Sequence, residues 1–259
     1  MSGETVIAAR GLSVRLGHRQ VVEDADFAVE AGEIIGLIGP NGAGKTTLLK
    51  ALAGLVPAQG EIEIKGRPAA SLARAERARR VGYLPQEGIV AWALPVRALV
   101  ALGRLPHVGP FRAFAAADHA AVERAIATLR LEPLAERAVT QLSGGERARA
   151  LLARTLAGEP AVLLADEPVA GLDPAHQLSV MRELRRLAEA GTAVVVVLHD
   201  LTLAARYCDR LVLLNRGRVA ASGAPLQVLA GPEASASYGI ALAIGEVAGQ
   251  PVVLPHAGG

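Results

Sequence analysis

The sequence predicts an α/β fold, a mostly parallel sheet covered on both faces by helices. Two patterns carry that reading. Short apolar runs of strand length alternate with segments of helical spacing, as they do when strands are buried on both faces. One run ends in a glycine-rich turn and another in a pair of acids, which puts polar chemistry at the carboxyl ends of strands, where open sheets of this class bind ligands.

The elements follow in order. Residues 6–16 and 21–29 alternate apolar and polar positions and read as strands near a sheet edge. Residues 33–38 are a short apolar strand ending in the glycine-rich turn. A helix over 46–53 follows, stopped by Gly54 and Pro57. Residues 61–64 and 81–84 are further strands. From 95 to 134 the pattern is helical, with an alanine-rich stretch at 115–129, and this region interrupts the alternation as a candidate helical lobe. Another helix opens at Gly144 or Gly145 and runs to about 158. Strands 162–165, 193–198 and 211–214 then alternate with helices 174–190 and 201–207. The tail from 235, rich in Gly, Ala and Val, is compatible with a terminal hairpin. No internal repeat, linker or low-complexity tract interrupts the chain.

The chain has 259 residues, 51% hydrophobic and 20% charged, the make-up of a folded globular protein long enough for one substantial domain or a core with a smaller lobe. Its net charge is +2, and its arginines are interleaved with acids, which argues against nucleic-acid binding. The single cysteine, Cys208, excludes an internal disulfide, fits a reducing compartment and reads as a small buried residue. Residues 1–10 lack the basic start and apolar run of a secretion signal. No stretch reaches the roughly 20 apolar residues of a membrane helix. Any membrane role therefore runs through a partner.

Gly39-Pro40-Asn41-Gly42-Ala43-Gly44-Lys45-Thr46-Thr47 fits the phosphate-loop pattern, between a predicted strand and a predicted helix. The glycines let backbone N–H groups turn inward around anionic oxygens, and the helix N-terminus adds its positive end. Lys45 places an ammonium on the β and γ phosphates of a nucleotide, and Thr46 offers a hydroxyl to Mg²⁺. Residues 161–165 form an apolar strand that ends in Asp166 and Glu167. Strand-end acids are often merely solvated. Beside a phosphate loop, Asp166 becomes a candidate Mg²⁺ ligand and Glu167 a candidate general base.

Leu142-Ser143-Gly144-Gly145-Glu146 resembles the signature motif of ABC ATPases, with Glu146 in the place usually taken by Gln. Three further segments match that family in order. Gln86 in Leu84-Pro85-Gln86 resembles its Q-loop glutamine, Gly171-Leu172-Asp173 its D-loop, and His199 in Leu198-His199-Asp200 its switch histidine. The resemblance spans residues 5–240 and leaves 241–259 as a tail. It implies a P-loop NTPase with a RecA-like core, an N-terminal antiparallel β lobe and an α-helical lobe at about 87–150. It assigns catalytic roles to Glu167, His199, Gln86 and Asp173, nucleotide contacts to residues 39–47 and to Ser143, Gly144 and Gly145, and Mg²⁺ to Thr46, Gln86 and Asp166. It also implies that two copies pair head to tail with ATP between the phosphate loop of one and the signature of the other. One departure stands out: the family stacks adenine on an aromatic residue before a turn glycine, and here Leu16 precedes Gly17.

Within the family, Trp92–Leu99, Leu102–His107, Leu172–Gln177, His199–Tyr207, Tyr238–Ile240 and Val252–Pro255 are similar to ATPases of importers for iron-siderophores, haem and cobalamin. The expected setting is the cytoplasmic face of the cell membrane, with an integral membrane permease as partner and a substrate-binding protein acting indirectly. An exporter or flippase subunit is the alternative. DNA-repair members carry long coiled coils for which this chain has no room, translation members usually carry two cassettes, and a P-loop kinase gives no reason for the signature motif.

Overall fold

A computed structural model describes residues 3–86, 93–109 and 112–256. Trp92, part of the importer resemblance, and some of the residues expected in the helical lobe fall outside them. In chain order come β1 (Thr5–Leu16), β2 (Arg19–Glu30), β3 (Ile34–Ile38), α1 (Lys45–Ala53), β4 (Gln59–Ile64), β5 (Arg67–Pro68), α2 (Arg74–Arg80) and β6 (Val81–Leu84). Next are α3 (Val96–Ala101), α4 (Ala116–Thr128), α5 (Gly144–Ala157), β7 (Val162–Ala165), α6 (Pro174–Glu189), β8 (Ala193–Val197), α7 (Leu201–Tyr207) and β9 (Arg210–Asn215). The chain closes with β10 (Arg218–Gly223), α8 (Pro225–Ala230), α9 (Pro232–Tyr238), β11 (Ala241–Val247) and β12 (Gln250–His256).

The first sheet is antiparallel, in the order β2-β1-β4-β5. Residues 21–29 therefore lie in an edge strand and residues 6–16 in the strand beside it, both near an edge as expected. The second sheet runs β10-β9-β3-β8-β7-β6. Its five strands from β9 to β6 are parallel, and β10 returns antiparallel on β9.

Side chains of the parallel strands alternate between two cores, because successive residues of a strand point to opposite faces. Ile35 and Leu37 of β3 and Val195 and Val197 of β8 join β1, β2 and α1 in one core. Ile34, Ile38, Val194 and Val196 join α3 to α7 in the other. Both faces are thus covered, which is why these strands read as unbroken apolar runs.

Between β6 and β7 the described residues carry α3, α4 and α5. At the 3₁₀ turn Leu102–Arg104, a side chain on Gly103 would start 1.9 Å from the Arg154 carbonyl oxygen, so only glycine lets this turn approach α5. Arg104 is buried there and donates to Asp118 Oδ1 at 2.9 Å and to the Ala157 carbonyl at 2.9 Å, tying α4 and α5 together. At the other end of the chain, β11 and β12 form the terminal hairpin, packed on α7. Among the described residues no helix is long and apolar enough to cross a membrane.

Candidate active site

Four neighbouring parallel strands deliver the site. Taken across the sheet, β3, β8, β7 and β6 end at the phosphate loop, His199, the Asp166–Glu167 pair and Gln86. Each group sits one to two residues past its strand, where the ladder releases the backbone.

The loop from Gly39 to Thr47 turns through left-handed backbone at Gly39 (φ 142°), Gly42 (φ 77°) and Gly44 (φ 103°). A Cβ at Gly39 would lie 2.0 Å from the Leu214 carbonyl oxygen, and one at Gly44 would lie 2.7 Å from that of Val21. Space and conformation both demand glycine at these two positions. Ala43 closes the turn by donating its N–H to the Pro40 carbonyl at 3.2 Å. Lys45 is buried and donates to the carbonyls of Gly39 at 2.7 Å and Pro40 at 3.0 Å. Burial lowers its pKa, while the charges of Glu167 and Asp166 act in the opposite sense. Leu16, Asn41, Lys45, Thr46, Thr47 and Glu167 share one cavity of about 360 Å³.

Thr46 donates through Oγ1 to Asp166 Oδ1 at 3.0 Å, and the Tyr83 hydroxyl donates to Asp166 Oδ2 at 3.1 Å. Burial raises the Asp166 pKa, partly offset by these two bonds. Burial and the neighbouring Asp166 carboxylate push the Tyr83 phenol above its ordinary range. Tyr83 was not among the residues expected here. Its signal was only its place one residue before the end of β6, beside the strand that carries Asp166.

Glu167 adopts φ 49°, a left-handed conformation that costs a non-glycine residue about 1 kcal/mol. Its carboxylate is held from both sides: His199 Nε2 lies 2.6 Å from Oε1, and Gln86 Nε2 donates to Oε2 at 2.6 Å. An ionised carboxylate only accepts, so the His199 Nε2 carries the proton in that contact. Gln86 thus meets Glu167 here, while Thr46 and Asp166 form the hydroxyl–carboxylate pair. Among the described residues no group of three or more His, Cys, Asp and Glu side chains could hold a metal ion. The pair's oxygen donors instead fit Mg²⁺, which keeps several waters and takes the rest of its shell from phosphate.

Ser143, Gly144 and Gly145 do not line the phosphate-loop cavity of their own chain. Ser143 caps α5: its Oγ accepts the Glu146 N–H at 3.3 Å, and Glu146 Oε2 accepts the Ser143 N–H at 2.8 Å. Hydrogen bonding to the Ser143 backbone and side chain holds the Glu146 carboxyl below its ordinary pKa. A side chain on Gly145 would run into the His176 ring, 2.1 Å away. Asp173 caps α6 by accepting the His176 N–H at 2.9 Å, with its other oxygen 2.7 Å from His176 Nδ1. The signature glycines and Asp173 therefore meet on a surface of their own, joined through His176, outside that cavity.

Residues 22–170 match the ABC transporter family. This chain belongs to that family. Membership makes it an ATP-binding and ATP-hydrolysing protein. This ABC ATPase is 48% identical to the hemin import ATP-binding protein HmuV of Streptomyces coelicolor, over 98% of its own length and 87% of the relative's. It is 43% identical to the cobalamin import ATP-binding protein BtuD of Halobacterium salinarum, over 91% of its length and 59% of the relative's. Among solved structures, a metal-chelate type ABC transporter in an inward-facing conformation matches it with a TM-score of 0.84 at 26% identity, covering 97% of this chain and 98% of that one.

Proposed function

We propose that this ABC ATPase powers uptake of a metal chelate, an iron-siderophore, haem or cobalamin. It works at the cytoplasmic face of the membrane on an integral permease, with a substrate-binding protein handing cargo to the permease from the far side. It acts as a head-to-tail pair of copies and takes no nucleic-acid partner. The observation that supports the chemistry best is Glu167 gripped by Gln86 and His199 at 2.6 Å on either side, in the same cavity as Lys45. So held, the carboxylate is aimed to take a proton from a water attacking the terminal phosphorus. Lys45 and the N–H groups of residues 39–47 receive the phosphates. Thr46 and Asp166 would hold Mg²⁺, which when bound neutralises charge on the phosphate oxygens. Ser143 of the second copy contributes its hydroxyl and Gly144 and Gly145 the N–H groups of another helix start, and Asp173 lies at the edge of that contact. The cargo class rests on the relatives named for hemin and cobalamin import.

Uptake by cells making the protein with its candidate permease tests this reading. Labelled ferric siderophore, haem and cobalamin are offered in parallel, with a Glu167→Gln strain as control. Entry of one compound, abolished in the control, is the expected result. If none enters while the purified protein still hydrolyses ATP, the metal-chelate reading is wrong and export becomes the better account.

A further inference from the structure

The tail after β10 reaches back to the first residue of the phosphate loop. Gly39 is buried and lies one residue past Ile38, the last β3 residue paired with β9. Its N–H therefore has no strand partner. It donates instead to the Tyr238 hydroxyl at 2.9 Å, across 199 positions of sequence. The carbonyl of the same residue accepts from Lys45 at 2.7 Å. Both polar groups of the Gly39 backbone are thus fixed by side chains, one from the tail and one from the loop itself. Glycine is the residue that most needs such fixing, since nothing in its own conformational preferences holds φ at 142°.

Tyr238 is itself anchored. It ends α9, whose Ala234 is buried in the same core as Leu203 of α7 and Val253 of β12. The hairpin that follows is hydrogen-bonded to α7, the helix that begins two residues after His199. Thr202 Oγ1 donates to the Val253 carbonyl at 3.2 Å and accepts the Val253 N–H at 3.0 Å, and Arg206 Nε donates to the Pro251 carbonyl at 2.8 Å. One continuous stretch of tail, 232–256, therefore touches the phosphate loop at one end and the helix behind His199 at the other.

We propose that Tyr238 is a positioning residue for nucleotide binding, and that the tail is a strap linking the start of the phosphate loop to the helix behind His199. The hydroxyl holds the Gly39 peptide in the orientation from which the following N–H groups face phosphate. The hairpin's grip on α7 keeps that hydroxyl in place. The proposal rests on the phosphate loop being the ATP site, so its test must separate the two.

Tyr238→Phe removes one oxygen and keeps the ring packed in the core. Binding of a fluorescent N-methylanthraniloyl ATP and steady-state hydrolysis are measured on the full chain for Tyr238→Phe, Thr202→Val, the double variant and Lys45→Ala. Loss of one net hydrogen bond corresponds to roughly a fivefold weakening. Tyr238→Phe is expected to raise Kd and KM about that much while kcat changes by less than twofold. Thr202→Val is expected to raise KM in the same direction, and the double variant by less than the product of the two, because both act through one strap. Unchanged Kd and KM in Tyr238→Phe overturn the proposal, as does a lowered melting temperature without a KM change, which marks a merely structural contact. A double variant whose effects multiply removes the strap and leaves Tyr238 acting locally. If Tyr238→Phe does not fold, Thr202→Val decides, and an unchanged KM there overturns the proposal. Unchanged nucleotide binding in Lys45→Ala would instead sink the site assignment itself.

Discussion

Leu16 occupies the position at which this chain departs from its family's aromatic pattern. It ends β1, is 46% exposed and lines the cavity that also holds Lys45 and Thr46. A leucine can cover a purine face but offers no π-system to it. Leu16→Tyr is expected to tighten ATP binding roughly three- to tenfold, the range an added aromatic pair supplies. Calorimetric titration of ATP into that variant, made in a Glu167→Gln background to stop turnover, would count against the assignment if the affinity did not rise. Cys208 carries a different expectation. Its sulfur packs against the bare backbone of Gly36, where a Cβ would come within 2.9 Å of it, and burial pushes the thiol pKa up to about 12. The thiolate is the reactive form, so native protein should resist iodoacetamide at neutral pH and react fully in denaturant. Stoichiometric labelling of the folded protein would contradict that burial.

At the scale of elements, the signals that were legible in the sequence share one property: each demand falls on contiguous residues. The phosphate loop needs closely spaced glycines, at 39, 42 and 44, because its backbone turns through left-handed conformations there. The parallel strands read as apolar runs because both faces are buried. α2 was not legible, since it buries none of its side chains and so carries no apolar period. Tyr83 and Tyr238 were not legible as site residues because their partners lie 83 and 199 positions away. Gln86 is expected on Mg²⁺ by resemblance; its contact with Glu167 through the side-chain amide, across 81 positions, is one that sequence spacing does not encode. The start of α5 offers a test at this scale. Glu146 completes a capping box and sits at the positive end of the helix. Its folded pKa lies below the ordinary 4.5. A depressed carboxyl stabilises above the unfolded pKa and loses that contribution as pH falls through the folded value. Glu146→Gln keeps an acceptor for the Ser143 N–H but no charge. Because the group is partly exposed, solvent limits the difference to a few tenths of a kcal/mol. The variant should melt slightly below the parent at pH 7, and the gap should close well below pH 4.5. A gap that persists in acid would show that the charge is not its origin.

For the whole molecule, the decisive geometry is that the signature glycines stand apart from the cavity their own chain builds. In the head-to-tail pair proposed above, a single copy would offer ATP only part of its contacts and the second copy would supply the rest. On that proposal ATP would bind the closed pair more tightly than the open one, and the difference could drive motion in an attached permease. Moving such an equilibrium from 1:99 to 99:1 takes about 5.5 kcal/mol of differential binding, or about 2.8 kcal/mol at each of two sites. A few charge-assisted hydrogen bonds from a helix N-terminus and a serine hydroxyl to phosphate are of that size. Hydrolysis would sever that bridge, so blocking it should leave the pair closed. Glu167→Gln removes the charge that His199 and Gln86 hold in place and, with it, the proposed proton acceptor, and hydrolysis should fall at least a hundredfold. With ATP and Mg²⁺ this variant should elute from a sizing column as a dimer, whereas with ADP it should elute as a monomer. Adding Ser143→Ala should weaken the ATP-dependent dimer without preventing ATP from binding to Lys45 and the loop. A Glu167→Gln protein that binds ATP yet stays monomeric at every concentration would rule out closure by shared nucleotide, and the signature surface beside Asp173 would then need another partner.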